Sequence, residues 1–401
     1  MTGWAERRWS VGEAPRGRDS LTPVRVLIDY RAALKERTGV GEYTHQLVRA
    51  LVGQSFAEGR HEICLFSASW SDRLDGTQLA ELGTGRRYDR RIPVRVLNYL
   101  WHRWEWPTVE ALLGSRFDVA HSLHPLLMPA ARAAQVITIH DLDFLEHPER
   151  TRAEIRRDYP TLAPSHARRA HRILVPSRYT GTRVERQLGV SGDRVVVCSP
   201  GAPPWKPSPL TLPATGYILF MGTLEPRKNV GGLLDAYARL LARGGQVPRL
   251  VLAGKPPAEG DPLLERLQRE PFTGHVDRLG YVPATDREQV YRGAALLVLP
   301  SFDEGFGLPV LEAMTLGVPV VASRRGALPE VLGDAGLLVD PDDVGALADA
   351  MEAMYGDPQR AREAHARGIQ RAGTFSWDTS ARAALDAYRD AAAMRVAGTM
   401  N

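Results

Sequence analysis

Short apolar segments alternate with longer amphipathic segments along most of the chain. The apolar segments are rich in Val, Ile and Leu and are bounded by Gly, Pro or Ser, which is typical of parallel strands buried on both faces. We therefore predict two series of strands, one in each half of the chain. The predicted strands are residues 24–30, 62–68, 94–97, 118–122, 136–141, 173–177 and 195–201, and then residues 217–222, 249–254, 277–282, 295–301, 318–323 and 336–340.

The segments between these strands carry the helical spacing that βαβ units require. In NVGGLLDAYARLLARGG, residues 229–245, the apolar positions recur at helical intervals and two glycines close the pattern. The fold class that follows is α/β, with two Rossmann-like, doubly wound domains. Because such sheets bind ligands at the carboxyl ends of their strands, we expect the domains to face each other across a binding cleft.

A proline-rich segment separates the two series of strands. Five prolines in GAPPWKPSPLTLPATG, residues 201–216, favour an extended linker and place the domain boundary near residue 205. The last helical pattern is expected to pack back on the N-terminal domain. The predicted parts are a disordered lead-in at 1–22, an N-terminal domain at 23–205, a C-terminal domain at 206–375 and a final helix at 376–401.

Composition and charge limit the class of protein. The chain has 401 residues, 44% of them hydrophobic, and a formal net charge of +4, which is too small to indicate a nucleic-acid partner. Two cysteines, Cys64 and Cys198, offer no disulfide framework and are typical of a reducing compartment. The sequence contains neither an apolar segment long enough to span a bilayer nor an apolar N-terminal signal segment. We therefore expect a cytoplasmic protein.

Two glutamates, Glu304 and Glu312, flank a glycine-rich hinge in the segment FDEGFGLPVLEAM. Gly305 and Gly307 permit a tight loop after the preceding strand, and Pro309 suits the first turn of a helix. The unpaired N–H groups at such a helix start form an anion site, while carboxylates accept hydrogen bonds from sugar hydroxyls. A nucleotide sugar would satisfy the whole segment. The alternative is that Glu312 complements the helix N-terminus and Glu304 is a solvated loop charge.

A pair of cations, Arg227 and Lys228, follows the first strand of the second domain in the segment GTLEPRKNV. The point where a strand passes into its helix is a phosphate position. A departing nucleoside diphosphate gains negative charge, which two cations at this place would neutralise. The alternative is a surface pair at a helix start, but cations are unfavourable there unless an anion is present.

Several of these motifs together resemble the retaining glycosyltransferases of family 4, a group 1, mannosyltransferase-like family with the GT-B fold. The similar segments are EGFGLPVLEAM, GTLEPRKN, LAG and LGYV in the second half. In the first half, TGVGEYTHQL is similar to the family's glycine-rich acceptor-side loop, and VITIHDLDFLEHPE and ILVPSRYT to its domain-interface strands. The resemblance extends from about residue 24 to residue 390.

The resemblance implies roles for individual residues. Arg227 and Lys228 would bind the diphosphate, Glu304 would contact the donor sugar, and His140 would lie beside the transferred sugar. Glu312 would hold the ribose hydroxyls, and the two glycines of the acceptor-side loop would let it approach the donor phosphate. The residues implied to bind the donor are Gly39, Gly41, Gly222, Gly254, Val282, Gly305, Phe306, Gly307, Leu308 and Glu312.

Two acids, Asp141 and Asp143, have the Asp-x-Asp spacing of a metal-dependent glycosyltransferase site. We do not expect a metal here, because the neighbouring His140 matches the family pattern and the two cations already supply positive charge. His121, His124 and His147 have no metal-ligand spacing with one another. Taken alone, His140 would more often be a hydrogen-bonded core histidine than a ligand contact. No cofactor is therefore predicted beyond the nucleotide-sugar co-substrate, which is GDP-mannose or a UDP-sugar.

Three tryptophans lie within six residues in NYLWHRWEWP, residues 98–107, beside Arg103. One interpretation is a core-packing helix with an exposed edge. The other is a membrane-surface or acceptor-binding patch, which the arginines at 86–95 and 150–172 would assist. The second interpretation predicts peripheral contact with the inner face of the cell membrane.

The hypothesis that follows is retaining transfer of a hexose, with mannose favoured by the resemblance, to a hydroxyl acceptor. The acceptor would be a saccharide or a lipid-linked sugar in the synthesis of cell-surface polysaccharide or glycolipid. Retention would resemble the family's front-face route, in which the leaving phosphate helps to take the acceptor's proton. The alternatives are a nucleotide-sugar epimerase of the same architecture and a non-catalytic nucleotide-sugar-binding subunit.

Overall fold

Two parallel β-sheets, each covered by helices, form the framework of the molecule. The computed structural model describes residues 23–34, 37, 39–58, 61–74, 80–83, 86–151, 153–211, 215–257 and 260–399. The predicted lead-in at 1–22 lies outside these residues. None of the helices in the described part is both long and apolar enough to cross a membrane.

The first sheet lies in the N-terminal half and, within the described residues, has seven parallel strands in the order β3-β2-β1-β4-β5-β6-β7. The first strand, β1, is paired on both sides, with Val26 opposite Ile63 in β2 and opposite Val119 in β4. The strands are β1 (Val24–Asp29), β2 (His61–Ala68), β3 (Arg87–Arg90), β4 (Val119–Ser122), β5 (Ala134–Thr138), β6 (Arg172–Val175) and β7 (Val195–Val197).

Helices follow most of these strands as the βαβ pattern predicts, but β4 is joined to β5 by residues 123–133 without a helix. They include a 20-residue helix directly after the first strand. Three short 3-10 turns, Arg31–Ala33, Pro148–Arg150 and Gly192–Arg194, join the elements of this half. The helices are α1 (Gly39–Glu58), α2 (Val94–Trp104), α3 (Val109–Leu113), α4 (Asp143–Glu146), α5 (Ala153–Arg169) and α6 (Arg178–Leu188).

The second sheet has six parallel strands, again counting the described residues only, in the order β10-β9-β8-β11-β12-β13. One continuous apolar core joins this sheet to the helices on its two faces. The strands are β8 (Tyr217–Met221), β9 (Leu250–Ala253), β10 (Val276–Gly280), β11 (Ala294–Leu299), β12 (Val320–Ser323) and β13 (Leu337–Val339). The helices are α7 (Val230–Arg243), α8 (Pro262–Arg266), α9 (Ala284–Arg292), α10 (Leu308–Leu316), α11 (Leu328–Leu332), α12 (Val344–Gly356) and α13 (Pro358–Ala372). The prediction of two doubly wound domains is confirmed.

One predicted strand, residues 94–97, is wrong. Helix α2 begins there after Pro93, whose fixed φ suits the residue that precedes a helix. Leu97 and Trp101 are buried four residues apart, which is the helical period and not the alternation of a strand. The strand in this region is instead the polar edge strand β3, whose sequence RYDR carries no apolar run.

The last helix, α14 (Trp377–Thr399), returns to the N-terminal domain. Its buried residues Ala381, Ala384, Leu385 and Tyr388 recur at helical spacing and join the apolar cluster around the first sheet. The chain therefore crosses between the domains twice, and the crossings lie side by side. A side chain at Gly201 would place its Cβ 2.2 Å from the backbone nitrogen of Trp377, so that only glycine fits there.

The loop that follows β11 is held by the opposite domain. The hydroxyl groups of Ser177 and Thr180, at the start of helix α6, donate hydrogen bonds of 2.7 and 3.1 Å to the carbonyl of Gly305. Arg183, one turn further along the same helix, donates to Asp303 at 2.7 Å. These contacts fix how the two domains meet at the cleft.

Candidate active site

A cavity of about 510 Å³ lies between the domains at the carboxyl ends of both sheets. Of the fourteen residues predicted for the site, thirteen line this cavity. From the N-terminal domain they are Gly39 and His140; from the C-terminal domain they are Gly222, Arg227, Lys228, Gly254, Val282, Glu304, Gly305, Phe306, Gly307, Leu308 and Glu312. The cavity thus brings together segments that lie up to 273 positions apart in the chain (39 to 312).

The two predicted cations lie in a 3-10 turn, Pro226–Lys228, directly before helix α7. Asn229 ends this turn in the left-handed conformation, with φ 54°, and its side chain accepts a hydrogen bond from the backbone N–H of Gly232. Asparagine tolerates this conformation and caps helices well, which is why the turn can stop and the helix begin at one residue. The geometry directs both cations towards Glu304.

Glu304 is the centre of a buried ionic cluster. Its Oε1 lies 2.5 Å from Lys228 Nζ and accepts a 2.7 Å hydrogen bond from Ser301, and its Oε2 lies 3.6 Å from Arg227 Nη1. Burial alone would raise the pKa of Glu304, but the charges of Lys228 and Arg227 hold this pKa below its ordinary value. The carboxylate is therefore ionised and compensates the cations while the cavity holds no donor.

Arg227 is also fixed by its other neighbours. Its Nη1 donates to the Asp303 carbonyl at 2.8 Å and its Nη2 to Glu225 at 3.0 Å. Burial lowers the pKa of Arg227, but the surrounding carboxylates, Glu304 foremost, raise this pKa above its ordinary value. A fully charged guanidinium with fixed orientation is a preorganised site for an anion.

Glu312 lies in the second turn of helix α10 and is buried with both oxygens engaged. Arg287 Nη1 donates to Oε1 at 3.2 Å, and the Tyr291 hydroxyl donates to Oε2 at 2.7 Å. Burial raises the pKa of Glu312, and Arg287 and Tyr291 oppose this shift only in part. The carboxylate is thus held in one orientation with its remaining lone pairs available to a hydroxyl group.

Arg287 and Tyr291 are site residues that the sequence did not reveal. They lie four residues apart on helix α9 and therefore share one face. Arg287 also reaches the N-terminal domain, where it donates to the Arg37 carbonyl and lies 3.7 Å from Glu42. The only sequence signal was a polar face on a short helix, which is common on any protein surface.

His140 follows β5 and faces the cavity from the N-terminal domain. Its Nε2 lies 3.2 Å from the carbonyl of Leu123, and since a carbonyl only accepts, Nε2 carries the proton and Nδ1 is an acceptor. Burial lowers the pKa of His140 to about 4. The edge of its ring packs on Tyr43 at 4.9 Å between centroids. His140 is therefore a neutral hydrogen-bonding group at neutral pH.

Two glycines at strand ends allow backbones to meet at the cavity. A Cβ on Gly254 would lie 1.9 Å from the Gly222 carbonyl, and both residues have positive φ, 151° and 154°. A Cβ on Gly305 would lie 1.9 Å from the His140 carbonyl, which belongs to the other domain. Side chains at these positions would separate the strands or the domains.

Gly41 is the predicted site residue that the cavity lining does not include. The acceptor-side loop predicted at 38–47 is, from Gly39 onwards, the first turns of helix α1. A Cβ on Gly41 would lie 2.7 Å from the Ala32 carbonyl, so this glycine lets the helix pack on the preceding 3-10 turn. Gly39 has open space around it and lies at the cavity. Thr38 lies outside the described residues.

The two acids with metal-like spacing are used within the protein. Asp141 Oδ1 accepts a hydrogen bond from the backbone N–H of Asp143 at 3.2 Å, and Asp143 lies 3.9 Å from Arg227. Within the described part of the chain, no group of three or more His, Cys, Asp or Glu side chains is arranged to hold a metal ion. A basic side chain next to Asp143 also opposes the approach of a cation.

Comparisons with known proteins agree with this architecture. The family model described as Glycosyltransferase Family 4 matches residues 37–205, and the one described as Glycosyl transferases group 1 matches residues 215–357. The chain is 34% identical over 375 residues to the O-antigen chain mannosyltransferase B of Escherichia coli, which covers 88% of this chain and 96% of that protein. It is 32% identical over 236 residues to the D-inositol 3-phosphate glycosyltransferase of Nocardia farcinica, which covers 55% of this chain and 52% of that protein.

Solved structures share the fold at low sequence identity. Sucrose-phosphate synthase from Thermosynechococcus elongatus has a TM-score of 0.72 at 20% identity, covering 91% of this chain and 98% of that one. Anabaena HepE in complex with UDP and glucose has a TM-score of 0.65 at 19% identity, and the match covers 90% of this chain and 98% of that one. The matches to both halves and the near full-length relative show that the chain belongs to the group 1, family 4 glycosyltransferases and is a glycosyltransferase with the GT-B fold.

Proposed function

We propose that the protein transfers a hexose, mannose in the first instance, from a nucleoside-diphosphate sugar to a hydroxyl acceptor with retention of configuration. The observation that carries this proposal is the buried cluster in which Lys228 and Arg227 meet Glu304 at the floor of the interdomain cavity. Glu312, the second acid of the segment, faces the same cavity. Two cations for a diphosphate and two carboxylates for hydroxyl groups are the set that a nucleotide sugar requires.

The cations would act on the leaving group. A diphosphate oxygen about 4 Å from one cation gains roughly 4 kcal/mol at an effective dielectric of about 20. This stabilisation grows as the glycosidic bond breaks, because the leaving diphosphate then carries its full charge. Glu304 balances Lys228 and Arg227 before the donor binds, and the donor's phosphate oxygens would take over part of that role.

Glu312 would orient the nucleoside. Arg287 and Tyr291 each engage one of its oxygens, so that the carboxylate does not need to reorganise when a ribose diol binds. The backbone N–H groups of Gly307 and Leu308 begin helix α10, where Gly307 has φ 102° and no side-chain cap is present, and both residues line the same cavity. These N–H groups would donate hydrogen bonds to a phosphate oxygen of the donor.

The engagement of the cavity's carboxylates supports the front-face route. Four acids line the cavity: Asp141, Glu225, Glu304 and Glu312. Each already accepts a hydrogen bond from a neighbouring group of the protein. A hydrogen bond lowers the nucleophilicity of the carboxylate that accepts it, whereas the departing phosphate oxygen can take the acceptor's proton directly. Neutral His140 would accept a hydrogen bond from a sugar hydroxyl at Nδ1, because its Nε2 proton faces the Leu123 carbonyl.

The choice of sugar, base and acceptor rests on the relatives. The near full-length relative is an O-antigen chain mannosyltransferase, which makes GDP-mannose the first donor to test and a saccharide or lipid-linked sugar of a cell-surface polysaccharide or glycolipid the first acceptor class. The structural neighbour HepE was solved with UDP and glucose, so UDP-sugars form the second panel. We propose that the reaction takes place at the inner face of the cell membrane and without a metal.

The test is a donor panel followed by product analysis. Thermal shift with GDP, UDP and their sugars should single out one nucleotide, and NMR of the product should show the anomeric configuration of the donor. A chelator in the assay should leave turnover unchanged. Inverted product, or isomerisation of the donor without an acceptor, would overturn the proposed function.

A further inference from the structure

The three clustered tryptophans have different environments. Trp101 is 3% exposed and packs in the core against Phe66, whereas Trp104 and Trp106 are each 63% exposed. Helix α2 thus has a buried side, on which Leu97 and Trp101 lie, and an outer side that ends at the solvent-facing Trp104. Trp106, equally exposed, lies two residues beyond the end of the helix. Burial explains Trp101 but leaves the other two without a role in the core.

The outer side concentrates apolar area. Among the described residues, nine large apolar side chains are exposed, and four of them lie between positions 96 and 106. These four are Val96 at 50%, Tyr99 at 49%, Trp104 and Trp106. Tyr99 and Trp104 contact each other edge to face, with ring centroids 5.5 Å apart. Such a contiguous exposed patch marks an interaction surface.

Arginines are interleaved with these aromatic side chains. Arg95 and Arg103 are exposed and lie four residues before and after Tyr99, so that the three share one face of helix α2. Arg157, exposed on the neighbouring helix α5, is near enough to Tyr99 for an electrostatic interaction. The nearby Asp158 is buried and accepts hydrogen bonds from Arg157 and His102. Asp158 thus balances the charge of Arg157, and the exposed Glu105 is balanced by Arg169. The net positive charge of the face comes from Arg95 and Arg103.

We infer that the aromatic-arginine face, made of Arg95, Val96, Tyr99, Arg103, Trp104, Trp106 and Arg157, docks onto an anionic lipid bilayer. Tryptophan and tyrosine beside arginine suit the headgroup level, where the rings enter the acyl boundary and the guanidinium groups meet lipid phosphates. Tryptophan, tyrosine and arginine are also enriched at protein–protein interfaces, but the net positive charge of this face complements an anionic bilayer. Charge complementarity thus favours a lipid surface.

A hydrogen bond links the helix that carries the aromatic-arginine face to a helix that lines the cavity. Asn98, on the same helix, donates a 2.6 Å hydrogen bond to Glu154 at the start of helix α5. The next residue, Ile155, lines the interdomain cavity. A bilayer against the face would therefore lie near the N-terminal side of the cavity. If the proposed function holds, a lipid-linked acceptor would reach the site from that bilayer, although lipid binding itself does not depend on the activity.

The test uses the full chain and vesicles of phosphatidylcholine, with and without phosphatidylglycerol. We expect co-sedimentation with the anionic vesicles at low salt and release at high salt. Each arginine near an anionic surface strengthens partitioning about fivefold. The pair Arg95→Gln and Arg103→Gln should therefore weaken partitioning about tenfold or more, and so should the pair Trp104→Ser and Trp106→Ser.

The matched control is Arg278→Gln with Leu279→Ser, an exposed arginine and apolar residue on the edge strand β10 of the other domain. The control should bind vesicles as the unaltered protein does. Circular dichroism verifies that each variant is folded, and transfer to a water-soluble acceptor should be unchanged in the face variants.

Three outcomes would overturn the inference. They are failure of the protein to bind anionic vesicles at low salt, binding by the face variants equal to that of the unaltered protein, and self-association through Trp104 and Trp106 in sedimentation velocity. Vesicle binding without any transferase activity would leave this inference standing and count against the proposed function.

Discussion

The carboxylate of Asp303 lies 2.7 Å from the guanidinium of Arg183, and the two residues belong to different domains. Tyr179 donates a second hydrogen bond to Asp303 at 2.8 Å. Asp303 immediately precedes Glu304, so the N-terminal domain helps to position the acid that meets Lys228. The donor half of the site is therefore complete only when the domains are in this arrangement.

Arg183→Ala should weaken catalysis without unfolding either domain. The loop carrying Glu304 would lose a charge-assisted contact that spans the cleft, and we expect kcat/KM for the donor to fall roughly tenfold, as for the loss of one charged hydrogen bond of about 1.5 kcal/mol. Steady-state kinetics over a range of donor concentrations measures this. Arg186→Ala, an exposed arginine on the same helix, is the control and should retain normal kinetics. An unchanged kcat/KM in Arg183→Ala would contradict the coupling.

Lys228→Met and Arg227→Ala should each lower turnover by roughly two to three orders of magnitude, because each removes a preorganised charge that stabilises the leaving diphosphate. Both variants should remain folded, since the cores of the two domains are not altered. Lys206→Met, an exposed lysine in the linker, serves as the control. Near-normal turnover in both variants would remove the diphosphate assignment.

Gly305→Ala should separate the two domains at the cleft. The added Cβ would meet the His140 carbonyl at 1.9 Å, a distance that can be relieved only by moving the backbone. We expect the rise in melting temperature that bound nucleotide causes to become much smaller, while the melting temperature of the protein without nucleotide changes little. Gly356→Ala, where a Cβ has nothing within 4 Å, is the matched control. Full nucleotide stabilisation in Gly305→Ala would show that the close contact is dispensable.

Acid should destabilise the fold through its buried histidines. Burial lowers the pKa of His121 to about 3 from the ordinary 6.5, while its ring nitrogens bond to Tyr388 and Thr138. Between these two pKa values the imidazole is protonated in the unfolded chain but neutral in the folded protein. The free energy of unfolding is therefore fully present above pH 6.5 and decreases as the pH falls below 6.5. At pH 5 this loss is about 2 kcal/mol of unfolding free energy.

Urea denaturation at several pH values between neutrality and pH 5 measures this effect. His121→Gln should reduce stability at neutral pH but flatten its dependence on pH. Tyr388→Phe removes the same hydrogen bond and keeps the buried imidazole, so its pH dependence should match that of the unaltered protein. Equal slopes in all three proteins would mean that His121 does not govern the acid response.

The sequence predicted the architecture because the architecture depends on local patterns, whereas most of the residues that line the cavity were implied by the family resemblance. Apolar runs with glycine boundaries identified the strands, and Glu304 and Glu312 lie close enough in sequence to be read as one segment. Arg287 and Arg183 were missed because their partners lie 25 and 120 positions away. Only the packing of helices across the cleft brings such pairs together.

Prediction from the local sequence pattern also failed where the apolar segment was too short to show a period. The short segment VRVL at 94–97, with three apolar residues, fits a strand and a helix equally well. It forms a helix in which Leu97 and Trp101 are buried on the same side. The tryptophans of that helix could not be assigned to core or surface from their spacing alone. The family resemblance implied that Gly41 lies beside the donor, but in the structure the close approach of Gly41 is to the Ala32 carbonyl.

The side-by-side crossings at Gly201 and Trp377 make the C-terminal domain an insert that hangs from two neighbouring tethers. The backbone N–H of Ala202 donates to the Phe375 carbonyl at 3.1 Å, which joins the tethers to each other. A domain attached by two neighbouring connections can rotate about the line that joins them but not freely about either connection. Opening and closing of the cleft would therefore bring the same two surfaces together each time.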